Sequence, residues 1–505
     1  MLRYQSFWLS LWIVLGPSIA LARQEPQALL KRPWFEARTG HFQVYSCGPT
    51  QEVARLVARL EQFREAYSLL AGVQAVASPP IIVIAFPDHE SMQPFLPFYQ
   101  GKPANLTAFF RHASDENLIV MPLDSNASME IIFHEYTHLL LRHNEHIWPL
   151  WLKEGMAELY SSFELIGTQH ARLGGPLKRH LRILHNRPLL PLASLFAVGH
   201  ESPDYNERER QGIFYAESWL LTQYLVFVDK TSHQARLGQI TALLRQGQTC
   251  EQAFTNVLQT TLPVIENGLR HYLERDKFEP IELTLRTDIT APRNIAFRTV
   301  GTAEVCFHLG DELMRTGHAE HAKAMFERAR KLAPRSPFGD EGLGMLEAAA
   351  GNPPKAVGYL QEALQLGSRS YLAHYFCAEE KLQLTSETPN RYSHIPKDKA
   401  AEIRTELERS LALMPDFGPA HHLLGFLELM QGDDLASALQ HIQRAVQLEP
   451  ENENYVLSLG QVQWRLDDIA AARRTLEELR RPYVEAPIRA HAAELLREIE
   501  RPKAR

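Results

Sequence analysis

From residue 303 onward, one pattern of small and apolar residues returns at a fixed interval. Gly310, Gly317, Ala322, Phe326 and Ala329 are followed 34 positions later by Gly344, Gly351, Ala356, Leu360 and Ala363. The same step places Ala378 at the Gly310 position. Residues 385–398 then interrupt the register, and Leu407, Ser410 and Pro415 restore it late. Gly425, Gly432, Ala438, Ile442, Ala445 and Pro450 make a clear fourth unit, and Gly460, Ala472 and Leu476 a degenerate fifth. A period of this length describes a unit that cannot bury its apolar face alone and does so by stacking on its neighbours. Residues 303–500 are therefore expected to form a solenoid that folds as a unit of its own, with Arg489 to Ile499 capping the stack.

The remaining residues must hold at least one further domain, because 505 residues at about 150 per domain imply two to four. Hydrophobic residues are 45% and charged residues 22%, which excludes a collagenous, a wholly disordered or a polytopic membrane chain. A formal net charge of -7 announces no basic surface, so nucleic acid is not an expected partner. The 4 cysteines are far apart and form no CxxC pair, so neither a disulfide framework nor a zinc ribbon is expected. Arg3 is the only charged residue before Arg23. Phe7 to Leu15 is apolar, Gly16 and Pro17 break the run, and Ala20-Leu21-Ala22 fits a cleavage site. Residues 1–22 are thus expected to be a signal peptide, with an exported, periplasmic or secreted chain starting at Arg23 and no membrane span after cleavage.

Residues 23–290 are expected to form that domain. Its first part, 34–125, reads as mixed α and β. Phe42 to Tyr45 alternates like a half-buried strand, Glu52 to Leu70 has helical spacing, and Ile81 to Phe86 is a continuous apolar run suited to a buried strand. Leu106 to Phe110 and Leu118 to Met121 read as two strands around a polar turn. Its second part, 126–290, reads as mainly helical, and residues 276–300 as a junction.

The chemistry concentrates at 134–158. His134-Glu135-Tyr136-Thr137-His138 is an HExxH motif. At 3.6 residues per turn, His134 and His138 share a helix face and both imidazoles can reach one ion. Glu135 is rotated by about 100° from His134 and can act on a water beside the metal without ligating it. A catalytic zinc site usually has three protein ligands. Glu154 is the candidate third, 16 residues after His138, enough for a turn and a second antiparallel helix that Pro149 and Trp151 start. Glu158 falls on the same face and can accept the other N–H of a ligand histidine. The metzincin pattern is excluded, because Leu141 and Asn144 stand where it needs Gly and His.

Two resemblances follow. The 34-residue register resembles the tetratricopeptide repeat, whose small residues let two helices cross closely. His134 to His138 followed by Trp151-Leu-Lys-Glu154-Gly-Met-Ala resembles the gluzincin metallopeptidases, most closely the peptidase-MA-like domains of exported bacterial proteins. That resemblance implies an α+β, zincin-like metallopeptidase domain ahead of the all-α repeat solenoid. It implies zinc held by His134, His138 and Glu154, with Glu135 as general base and Glu158 supporting a ligand histidine. Phe214 to Trp219 matches a Tyr-Ala-x-Ser-Trp block of similar domains, which makes Tyr215 the candidate donor to the oxyanion. A Gly-x-Met-Glu-Asn exopeptidase motif is absent, and the His138-to-Glu154 spacing is shorter than in the aminopeptidase-N type.

The expectation is an exported zinc metallopeptidase with a peptide or protein substrate and a protein partner on the repeats. Two alternatives stay open: a non-catalytic repeat scaffold with a vestigial metal site, and a metal-dependent hydrolase of a non-peptide substrate.

Overall fold

A computed structural model describes residues 26–500 apart from 72–80, 100–101, 105, 125, 146–147, 200–201, 203–207, 228–232, 287–294, 386–394, 433 and 481–483. The expected signal segment lies outside the described residues.

The apolar run Ile81–Phe86 (β3) is central in a six-stranded sheet. Its neighbours are Phe42–Ser46 (β2) and Asn117–Pro122 (β5), both parallel to it. Trp34–Arg38 (β1) lies antiparallel beyond β2, and Phe109–His112 (β4) antiparallel beyond β5, as the edge. Both faces of β3 are covered, which is why the run does not alternate. Ile81, Val83 and Ala85 face one core, with helix α1 (Thr50–Ala71) and the helices that follow it; Ile84 and Phe86 face another.

The second core decides the architecture. Tyr45, Ile84, Phe86, Leu118 and Val120 of the sheet share it with Val305, Cys306, Leu309, Leu313 and Phe326 of the first repeat. The first repeat therefore covers one face of the sheet. Ala296–Val300 (β9) pairs antiparallel with β1, so the end of the segment read as a junction is an edge strand. Gly301 then caps the first repeat helix directly. β9 escaped detection because four of its five residues are exposed.

Helices α2 (Asn126–Glu145), α3 (Leu150–Ser161), α4 (Lys178–Asn186), α5 (Leu192–Ala197), α6 (Arg208–Phe227), α7 (His233–Arg245), α8 (Cys250–Leu258) and α9 (Leu262–Glu274) make up most of the next part. Within it, Glu164–Ile166 (β6), His170–Leu173 (β7) and Ile281–Thr284 (β8) form an antiparallel sheet in the order β8-β7-β6. The reading of this part as mainly helical holds no strand there, although His170 to Leu173 and Ile281 to Thr284 do alternate polar and apolar residues.

The solenoid consists of helix pairs: α10 and α11 (Thr302–Arg315, Ala319–Leu332), α12 and α13 (Phe338–Ala349, Pro353–Gln365), α14 and α15 (Tyr371–Gln383, Lys397–Leu413). Then come α16 and α17 (Gly418–Gln431, Leu435–Leu448), α18 and α19 (Glu453–Arg465, Ile469–Glu478) and the closing α20 (Ala486–Glu500). The recurring glycine has a steric cause. A Cβ at Gly310 would lie 2.6 Å from the Phe326 ring, and at Gly344 2.6 Å from Leu360. At Gly425 and Gly460 the distances are 2.7 Å to Ile442 and 2.5 Å to Leu476. One helix of each pair rests on the other at this point. Gly317 and Gly351, at φ 88° and 76°, take the left-handed turn that ends the first helix of a pair.

All four cysteines are free thiols. No helix among the described residues is long and apolar enough to cross a membrane.

Candidate metal centre

Helix α2 is held by its apolar side. Phe133 stacks on Phe63 of α1 with ring centroids 4.4 Å apart. Arg64 Nη1 donates to the Tyr136 hydroxyl at 3.0 Å, and the Tyr67 hydroxyl donates to the Leu140 carbonyl at 3.1 Å. These contacts fix the rotation of α2 about its axis. His134 and His138, off that side, are thereby presented to α3.

Pro149 caps α3 in an extended conformation, and Trp151 locks its first turn against Phe196 and Phe254. Glu154 then reaches both histidines. Its Oε2 lies 3.4 Å from His134 Nε2 and 3.4 Å from His138 Nε2, and the two Nε2 atoms are 3.3 Å apart. The result is a nearly equilateral triangle of two nitrogens and one carboxylate oxygen that can hold one metal ion. Burial alone would raise the Glu154 carboxyl, but the two histidines hold it well below the usual carboxylate range.

Glu135 is buried beside this triangle, and its Oε1 has no hydrogen-bond partner among the described residues. Burial pushes its carboxyl up to about 7, against the pull of His134 and His138 and with the repulsion of Glu154 and Glu158. Glu158 is fully buried behind His134, its Oε1 3.6 Å from His134 Nδ1.

Tyr215 comes from α6. Its ring centroid is 6.4 Å from that of His134, and the residue is buried. Gly155 permits the approach of α6: a Cβ there would lie 2.2 Å from Thr222 Oγ1 and 2.4 Å from the Ser218 carbonyl oxygen. The glycine after Glu154 is thus where α3 and α6 touch.

Sequence reasoning missed His180 and Arg179, at the start of α4. His180 Nε2 lies 2.9 Å from Glu158 Oε2, and Arg179 pairs with that oxygen and with Glu130. Burial would raise the Glu158 carboxyl, but His180 and Arg179 pull it down to about 2. No spacing rule reaches across the β6–β7 hairpin that separates α3 from α4, so no sequence signal pointed to them.

Comparison with known proteins bears on the repeats. A family profile described as "Tetratricopeptide repeat" matches residues 307–371 and 423–487, and these residues are such repeats. Among solved structures, the chain is similar to MamA from Desulfovibrio magneticus RS-1. Identity is 21% over 39% of this chain and 97% of that one, with a TM-score of 0.29. It is similar to YrrB, described as a TPR protein with an unusual peptide-binding site, at 15% identity over 38% of this chain and 92% of that one (TM-score 0.31). PilF of Pseudomonas aeruginosa matches at 16% identity over 39% of this chain and 86% of that one, with a TM-score of 0.31. No curated protein matches the sequence.

Proposed function

We propose that the first 300 residues form a zinc-dependent hydrolase of peptide bonds, of the gluzincin type, joined to repeats that contact other proteins. The triangle of His134, His138 and Glu154 carries the reading. Two ligand atoms each about 2.05 Å from a tetrahedral ion lie about 3.3 Å apart, and the observed separations are 3.3 to 3.4 Å. Two imidazoles and a carboxylate are a donor set that suits zinc.

A zinc ion held by these residues would lower the pKa of a water towards neutrality and polarise a carbonyl. Glu135, buried beside the triangle, takes the proton of the attacking water and delivers it to the leaving amine. Glu158 orients His134 through Nδ1. The Tyr215 hydroxyl donates to the oxyanion as it develops. The exported setting expected from residues 1–22 belongs to the same reading, and amino-terminal sequencing of exported protein should find Arg23 first.

The test separates two carboxylates. Glu154→Ala should lose the metal, whereas Glu135→Gln should keep near-stoichiometric zinc and lose at least about 10²-fold in turnover of a peptide library. Metal analysis and turnover of both variants are read together. Wild-type protein without zinc sinks the proposal, and so does Glu135→Gln protein without zinc.

A second reading is a repeat scaffold whose metal site performs no turnover. It is favoured by one observation: the matching family profile covers repeats alone. Stoichiometric zinc without cleavage of any peptide would favour it, or a hydrolase of a non-peptide substrate.

A further inference from the structure

The turn between β4 and β5 leaves the sheet and enters the solenoid. The Ala113 N–H donates to the Glu116 carbonyl at 3.1 Å and closes it. Its groups then meet three different repeats. Arg315 Nη1, at the end of α10, donates to Asp115 Oδ2 at 2.7 Å. The Tyr371 hydroxyl, at the start of α14, donates to the Asp115 carbonyl at 2.7 Å. Ser114 Oγ donates to Glu449 Oε2, just past α17, at 2.7 Å.

This grip is not part of the apolar joint under the sheet. It is a recognition set: a guanidinium for a carboxylate, a hydroxyl for a carbonyl, a carboxylate for a hydroxyl. Arg315 is preorganised for it, since its Nε donates to both oxygens of Asp311 at 2.9 Å and its side chain is 4% exposed. Without Asp115 the pair with Asp311 would still hold its side chain in place, with Glu116 Oε1 4.0 Å from its Nε. Burial alone would raise the Asp115 carboxyl, but Arg315 and Arg111 hold it below its ordinary range.

We infer that the Ser114-Asp115-Glu116 turn is a resident ligand of the repeats, and that they accept an acidic turn from a partner protein only by displacing it. The partner segment is one that sets a hydroxyl side chain before an acidic one in a tight turn. β4 packs against α2, the helix that carries His134 and His138, so one strand separates the turn from that helix. The inference stands whether or not that centre turns over a substrate.

The probe is a cyclised, fluorescein-labelled peptide with the sequence of residues 110–119, titrated by anisotropy against the full chain. Ser114→Ala/Asp115→Ala protein should bind it at least about tenfold more tightly than wild type, as expected when a buried charge pair is vacated. Adding Arg315→Ala should abolish that gain. Equal affinity for wild type and the double variant, affinity indifferent to Arg315, or no binding at all overturns the inference. Should the double variant melt early, Asp115→Asn replaces it. Hydrogen exchange supplies an independent reading: excess peptide should raise the exchange of the 109–122 amides in wild type. Binding with unchanged exchange there puts the peptide elsewhere and also overturns the inference.

Discussion

The two oxygens of Glu158 face two histidines. Oε1 lies 3.6 Å from His134 Nδ1, and Oε2 lies 2.9 Å from His180 Nε2. A ligand histidine takes its orientation from the group on its other nitrogen, and losing such a partner costs about 10–100-fold in metal affinity. His180 therefore acts on the metal centre at one remove. His180→Ala should weaken zinc about tenfold or more in competition with a chromophoric chelator, and His180→Gln, which keeps an N–H donor, should recover most of the loss. Unchanged affinity in His180→Ala would reduce the ring to a packing partner of Trp219, whose ring centroid is 5.9 Å away. Tyr215 is expected to behave differently. Tyr215→Phe should keep zinc and lose about 10²–10³ in turnover, the usual effect of one oxyanion donor. Full turnover in that variant would assign Tyr215 to packing.

At the scale of elements, α6 carries two constraints that differ in their physics. The first is its crossing with α3. The Ser218 carbonyl that meets Gly155 is backbone and cannot rotate away, so Gly155→Ala must push the helices apart. Overpacking of this kind costs about 1–3 kcal/mol, and a thermal melt should show a lower midpoint. The second is Glu217, whose Oε2 accepts the Leu190 N–H at 2.7 Å. Burial pushes this carboxyl up to about 8, with the Leu190 N–H opposing and Glu266 adding to the rise. The folded chain keeps the proton up to about pH 8, whereas an unfolded glutamate releases it near its ordinary value of 4.5. The unfolded state thus binds fewer protons between these values, and this group's contribution to stability falls as pH rises from 4.5 towards 8. Glu217→Gln should flatten the dependence in denaturant midpoints compared at pH 5 and pH 8. An equal slope in both proteins would count against a protonated Glu217.

For the whole molecule, the first repeat belongs to two structures at once. Its glycine register makes it the start of the solenoid, while Val305, Cys306, Leu309 and Leu313 close the core beneath the sheet. The ring of His308 packs on Tyr45 with centroids 3.8 Å apart, and Arg298 of β9 bridges Glu36 of β1 and Glu304 of α10. A fragment of residues 303–500 should therefore remain helical by circular dichroism but self-associate in sedimentation, because that apolar face loses its cover. A monomeric fragment melting at the midpoint of the full chain would show that the sheet adds nothing to the repeats.

Local physics made two things legible in the sequence. The i, i+4 histidines share a face on any α-helix, and 16 residues suffice for one turn and an antiparallel helix, so spacing allows His134, His138 and Glu154 to meet, and the packing of α2 on α1 turns the histidines towards Glu154. The helix pairs of the solenoid cross closely enough to need a small residue there, and Gly310, Gly344, Gly425 and Gly460 mark four of the crossings, with Ala378 at the matching place of α14. The rest had a weak local signal or none. The strands β6, β7 and β8 are short, with only four alternating residues to mark β7 and β8, and β9 is exposed along most of its length. His180 meets Glu158 across a hairpin, and Arg315 meets Asp115 from 200 residues away. Such contacts join segments whose own patterns are complete without them. Only tertiary packing, with both faces of one sheet needing cover, brings the first repeat onto the sheet and the β4–β5 turn into the repeats.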